Sequence, residues 1–238
     1  VGGACELAGG TPWAEPLSTW TSLAFVLAGA VILGGASRRS STGDAGSAAV
    51  AGVRRDEVTA LRVAFGVLVA LIGVGSVIQH GPSPSWNPVA HDPPLLGALA
   101  LVAADAVADL TGRRTRTRWW LAPTLAAVVV AAASVPASTA FQLAVAVVAV
   151  AASVVRAWHR PAVRRRTVIA LGLLALGGTI GTLTRPGWPL CDADGPLGVT
   201  LQGHAVWHVL AASALWVLAP TLGTRRTSPA PAPGPTPR

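Results

Sequence analysis

Seven blocks of apolar residues, each close to the roughly 20 needed to cross a bilayer as a helix, divide this chain. They run over Leu17–Ala36, Val58–Gln79, Pro93–Leu110, Trp119–Val135, Ser138–Ala157, Thr167–Thr184 and Leu201–Leu222. The apolar positions do not alternate with polar ones, as lipid-facing strands require, so the blocks predict helices. Gly66, Gly73, Gly75, Gly172, Gly177, Gly178 and Gly181 recur inside them. Residues that small let membrane helices approach closely. The pattern therefore predicts an all-α polytopic membrane protein, a bundle of seven transmembrane helices. Residues 1–227 form one domain, followed by a disordered Pro-rich tail over 228–238. Ser37–Glu57, rich in Ser, Gly and Ala, is expected to be a flexible loop. No internal repeat is evident.

Composition supports this picture. Only 12% of the 238 residues are charged and 52% are hydrophobic, against about 25% charged in a soluble domain. The net charge of +8 would suggest nucleic acid in a soluble protein. Here the charges form short clusters between apolar blocks, where cytoplasmic loops place them, so no nucleic-acid partner is expected. Seventeen of the 18 basic residues fall in one set of connections or at the helix ends beside them, and only Arg185 falls in the other. The basic side is the cytoplasmic one. This orientation puts the N-terminus outside and the C-terminus in the cytoplasm. The first apolar run has no basic stretch before it, so no cleavable signal peptide is expected. The chain has no Met, and Val1 reads as an alternative start or a trimmed end. Abundant Ala, Gly and Arg without Lys, Tyr or Met look like GC-rich bacterial coding, hence a bacterial plasma membrane.

Both cysteines, Cys5 and Cys191, then lie outside, where an oxidising compartment permits a Cys5–Cys191 disulfide. Polar groups within the spans cluster at the same outer end. Ser76 and His80 close helix 2 on one face, being four apart. His91 and Asp92 open helix 3. His204 and His208 open helix 7, again four apart. Singly, each has an ordinary explanation: an interfacial His, a Ser bonded to its own backbone, an Asp capping a helix. Together they put four of the five histidines at one depth, and three imidazoles with an open fourth position make up a catalytic zinc site. Asp105 and Asp109 lie in the opposite half of helix 3, and a pairing with Arg62 is expected for them. Trp119 and Trp120 mark the cytoplasmic interface.

These motifs resemble the alkaline ceramidase family, within the CREST superfamily of seven-helix membrane hydrolases. The resemblance rests on Ser76-x-x-x-His80, on Asp92 after the next loop, and on Gly203-His204-Ala205-Val206-Trp207-His208. Glu15 followed by Ser18, Thr19, Ser22 and Phe25 is similar to that family's entry into helix 1. The resemblance implies zinc on His80, His204 and His208, with Ser76 and Asp92 completing the active site. Zinc would activate water and polarise a scissile carbonyl, Asp92 would carry the proton, and Ser76 would steady the oxyanion. A nucleophilic Ser76 is disfavoured, because no unligated His remains to act as its base. The implied partner is a membrane lipid with a ceramide-like N-acyl amide, held in the bilayer. His91 has no counterpart and reads as an ordinary interfacial residue.

The sequence also departs from the family. The interval from His80 to Asp92 is one residue longer, and Trp20 stands near where the family favours Asn. The acidic calcium-binding N-terminus is reduced to Glu6 and Glu15, which puts calcium in doubt. An ester-cleaving lipid hydrolase and a non-catalytic zinc-containing receptor remain alternatives on the same scaffold. A haem carrier fits poorly, because the histidines sit at one end only. A transporter fits poorly without repeats or broken helices.

Overall fold

The computed structural model describes residues 13–41, 49–188, 190–191 and 202–225. Cys5 and Glu6 lie outside these residues, as does the Pro-rich tail. The Cys5–Cys191 bridge therefore falls outside the described residues too. Among the described residues seven α-helices follow one another: α1 Pro16–Ser41, α2 Ala49–His80, α3 Asn87–Leu110, α4 Arg118–Ala133, α5 Val135–His159, α6 Pro161–Leu183 and α7 Gly203–Leu218. No strand occurs among the described residues. Six of the helices are long and apolar enough to cross a membrane. The exception is α4, whose 16 residues give about 24 Å at 1.5 Å per residue.

Local chemistry explains several boundaries. Proline stands in the first turn of α3, α5 and α6, where its missing N–H costs nothing. Ser134 caps α5 by accepting from the Ala137 N–H. Arg160, held extended before Pro161 at φ −132° and ψ 87°, separates α5 from α6, because a residue preceding proline avoids the helical region.

Two boundaries differ from expectation. Most of the expected Ser37–Glu57 loop is helical, because α1 runs on to Ser41 and α2 begins at Ala49. The alanines and charged residues of that stretch are adequate helix formers, and the loop composition misleads. Helix α3 begins at Asn87, not Pro93, and carries Pro93 and Pro94 inside it. Those prolines cannot donate to the carbonyls of Val89 and Ala90.

Pairwise contacts fix the direction of the helices. Glu15, just before α1, meets His80 at the end of α2. Asp92 near the start of α3 meets Ser138 near the start of α5. Asp109 near the end of α3 meets Arg156 near the end of α5. Gly203 abuts Thr184, and Gly223, beyond α7, abuts Val58 of α2. The bundle thus has a histidine end and an arginine end. Helix α3 is its centre, with 78% of its span buried, whereas α5 and α6 are only 17% and 22% buried. Phe25, Phe65, Val69, Ile72, Leu101 and Leu222 fill the core between α1, α2, α3 and the end of α7. Glycines allow close contact at Gly66, Gly73, Gly75 and Gly177, but Gly172 faces open space.

The distribution of polarity is the reverse of that in a soluble protein. Leu17, Trp20, Leu27 and Val31 form an exposed stripe on α1, as do Val63, Val67, Leu71 and Val74 on α2. Ser18, Ser22, Ser76, Asp105 and His208 are buried. Apolar stripes of that extent exposed to water would be untenable, whereas hydrocarbon accommodates them. The chain is a helical, membrane-embedded protein.

At the arginine end, the expected partner of Asp105 and Asp109 is corrected. Arg156 bridges both carboxylates, at 3.0 and 2.8 Å, while Arg160 pairs with Asp109 and Arg225 with Asp105. The backbone N–H of Gly223 also donates to Asp105. Arg62 instead donates to the carbonyl of Pro220, because its register on α2 leads to the end of α7. Buried carboxylates are tolerable only when paired and fully hydrogen-bonded, and these are both.

Candidate metal centre

The histidine end is built by the tops of α1, α2, α3 and α7. The N-terminus of α7 lies against the C-terminus of α6 so closely that a Cβ on Gly203 would fall 2.1 Å from Thr184 Oγ1. That approach sets the depth of His204 and His208, which project one turn apart. His80, the last residue of α2, completes the group. One ring nitrogen from each of the three lies within 4.8 Å of the others.

The outer nitrogens are held by acceptors. His80 Nδ1 donates to Glu15 Oε2 at 2.6 Å. His208 Nδ1 donates to the Ser18 carbonyl at 3.0 Å, with Thr21 Oγ1 at 3.2 Å and Ser22 Oγ at 3.4 Å beside it. Ser22 and Thr21 direct their own O–H groups to the carbonyls of Ser18 and Leu17, so they present lone pairs to the imidazole. A ring that donates through Nδ1 keeps its lone pair on Nε2. A carboxylate or carbonyl behind a histidine is the usual device that fixes the tautomer of a metal ligand.

His204 Nε2 stands 3.2 Å from His80 Nε2. Tetrahedral coordination at about 2.0–2.1 Å gives nitrogen–nitrogen edges of about 3.3–3.4 Å, so the spacing fits two ligands of one ion. The donor set, three imidazoles with two of them locked from behind, can hold a metal ion. Glu15 thus places a carboxylate directly behind the His80 ring, the partner that commonly orients a metal-ligating histidine.

Asp92 and Ser76 lie at the same end but outside the nitrogen cluster. Asp92 is buried, accepting from Ser138 Oγ at 2.6 Å and from His91 Nδ1 at 2.9 Å. Gln142, one turn along α5, donates to Ser138 Oγ at 3.3 Å. Among the described residues, Asp92 is hydrogen-bonded to none of the three histidines and stands outside their group. Ser76 is 1% exposed, and its Oγ has no hydrogen-bond partner. A buried hydroxyl without a partner is uncommon and calls for a water or ligand to satisfy it. Helices α2 and α3 cross next to it: a Cβ on Gly75 would meet the Ala90 carbonyl oxygen at 2.4 Å and His91 Cα at 2.7 Å. Only glycine fits there, and the crossing sets Ser76 beside the turn that carries Asp92.

No protein-family model matches this chain, and no curated protein sequence matches it.

The chemistry of the site therefore rests on its own residues. The structure brings His80, His204 and His208 together and places Ser76 and Asp92 at the same end. His91, expected as an ordinary interfacial side chain, is tied to Asp92. Sequence reading missed Ser138 and Gln142 as supports of Asp92, although a polar pair four apart in an apolar span was visible. It also left Glu15 and Ser18 without a role toward the histidines.

Proposed function

We propose that the protein is an intramembrane zinc-dependent lipid hydrolase that cleaves the amide bond of ceramide-like N-acyl lipids. The observation that carries this is the convergence of three imidazoles whose other nitrogens are anchored by Glu15 and Ser18. Zinc bound there supplies a Lewis acid that activates water and polarises a carbonyl. The carboxylate of Asp92, kept out of the ligand set and steadied by Ser138 and His91, accepts a proton and returns it to the departing nitrogen. The free hydroxyl of Ser76 donates to the developing oxyanion. Water adds across the C–N bond, leaving a fatty acid and an amine base of sphingoid type.

The histidine end faces the outside of the plasma membrane in this reading, and the arginine end faces the cytoplasm. The support is the asymmetry of 17 arginines to one. A single cysteine at Thr115 should react with an impermeant maleimide only after cells are opened. Reaction in intact cells would reverse the orientation.

The activity is tested with purified protein and a panel of N-acyl amides and esters matched in acyl chain. Release of fatty acid from the amides, abolished by a chelator and restored by zinc, is expected. Cleavage of esters alone would make the protein a lipid esterase. Binding of zinc without cleavage of anything on the panel would favour the receptor alternative and reject the hydrolase.

A further inference from the structure

The arginine end carries two kinds of arginine. Arg156, Arg160 and Arg225 are engaged by Asp105 and Asp109. Arg113, Arg114, Arg116 and Arg118, in and after the connection from α3 to α4, are exposed. None of these four forms a salt bridge among the described residues. Together with Thr115 and Trp119 they wall a cavity of about 990 Å³. No acidic residue lines it among the described residues.

Trp119 also belongs to a second space, an apolar groove of about 360 Å³. Ala103, Ala104 and Val107 of α3 form one wall, Pro123 of α4 the floor, and Ala144 and Val148 of α5 the other wall. Val107, Ala144 and Val148 are exposed, so the groove opens sideways, toward hydrocarbon in a bilayer. An open cationic pocket and a hydrocarbon slot thus meet at one indole.

We infer that this junction binds an anionic glycerophospholipid of the adjacent leaflet, its phosphate among Arg113, Arg114 and Arg116 and one acyl chain in the groove beside Trp119. Guanidinium groups match phosphate oxygens in pairs, and an indole suits the boundary between headgroup and chain. Arginines that served only to orient the chain would need charge at the membrane surface but no slot continuous with it. The site lies at the opposite end of the bundle from the histidines. It depends on membrane embedding and not on the hydrolase reading.

The test is titration of the purified full-length chain in detergent, read by native mass spectrometry. The probes are phosphatidylglycerol, phosphatidylcholine with the same acyl chains, and soluble glycerol phosphate. Phosphatidylglycerol should bind at least about tenfold more tightly than phosphatidylcholine, at about fivefold per unopposed arginine. The triple variant Arg113→Gln, Arg114→Gln, Arg116→Gln should lose about 10²-fold on the same scale. Ala144→Phe, at an exposed position, fills the groove with little risk to folding and keeps the test decisive if the triple variant does not fold. It should weaken phosphatidylglycerol about tenfold. Equal binding of the two lipids, or unchanged binding in Ala144→Phe, would overturn the proposal. So would glycerol phosphate binding as tightly as the intact lipid, which would mark a site for free phosphate.

Discussion

Purified protein is expected to carry about one zinc ion per chain, the count of a mononuclear site. His204→Ala and His208→Ala should each retain less than about a tenth of it, since two imidazoles seldom hold zinc where three did. Elemental analysis after exhaustive dialysis measures this directly. The effect should be large because the ligands are anchored in advance. Glu15 holds His80 and the Ser18 carbonyl holds His208, so the structure offers no slack to recruit a substitute. Asp92 is engaged by Ser138 and His91 and should not move in. Glu15→Gln keeps the hydrogen bond but removes its charge, and should weaken zinc about 10–100-fold, the usual effect of losing a partner behind a ligating histidine. A competing chelator resolves that intermediate loss. His91→Ala should keep its metal. Full zinc retention in both His204→Ala and His208→Ala would remove them from the ligand set.

Much of this site was legible because its signals are local. His204 and His208 share a helix face, and Ser76 and His80 share another, so spacing alone placed each pair. The apolar blocks announced seven helices, and the arginines sorted their ends. What was not legible depends on the register between helices distant in sequence. Asp105 and Asp109 are four apart, and so are Arg156 and Arg160. The two ladders match across α3 and α5, yet nothing near Asp105 in sequence says that α5 is its neighbour. Arg62, the expected partner, lies on α2 and donates to the Pro220 carbonyl instead. The same limit hid Ser138, which reaches Asp92 from 46 residues away. The support of His208 by Ser18, Thr21 and Ser22 joins the first helix to the last. The 37–57 connection failed for another reason: its composition is that of a loop, but its alanines and charged residues extend the flanking helices beyond the apolar spans.

Asp92→Asn should keep both zinc and fold, and lose hydrolysis of the N-acyl amide by roughly 10²–10⁴-fold, the range for a general acid–base group. The geometry argues for so clean a separation. Asp92 is not among the converging nitrogens, so its loss leaves the metal ligands and the supports behind them untouched. Asparagine is close to the same size and can still accept from Ser138 Oγ, but it cannot take up a proton. Ser138→Ala is a milder version of the same experiment. It removes the 2.6 Å hydrogen bond to Asp92 and frees the carboxylate to turn, so turnover should fall less than in Asp92→Asn and the pH profile should shift. A merely structural role for Ser138 would leave that profile unchanged. Ser76→Ala should also keep zinc and lose about 10²–10³-fold if its hydroxyl stabilises an oxyanion. Because Ser76 Oγ is buried without a partner, the alanine variant should be at least as stable as the parent in thermal denaturation. A variant that is sounder in fold, complete in metal and poor in turnover would separate chemistry from structure. Wild-type turnover in Asp92→Asn would reject Asp92 as the proton carrier and make His91, 2.9 Å from it, the next residue to replace.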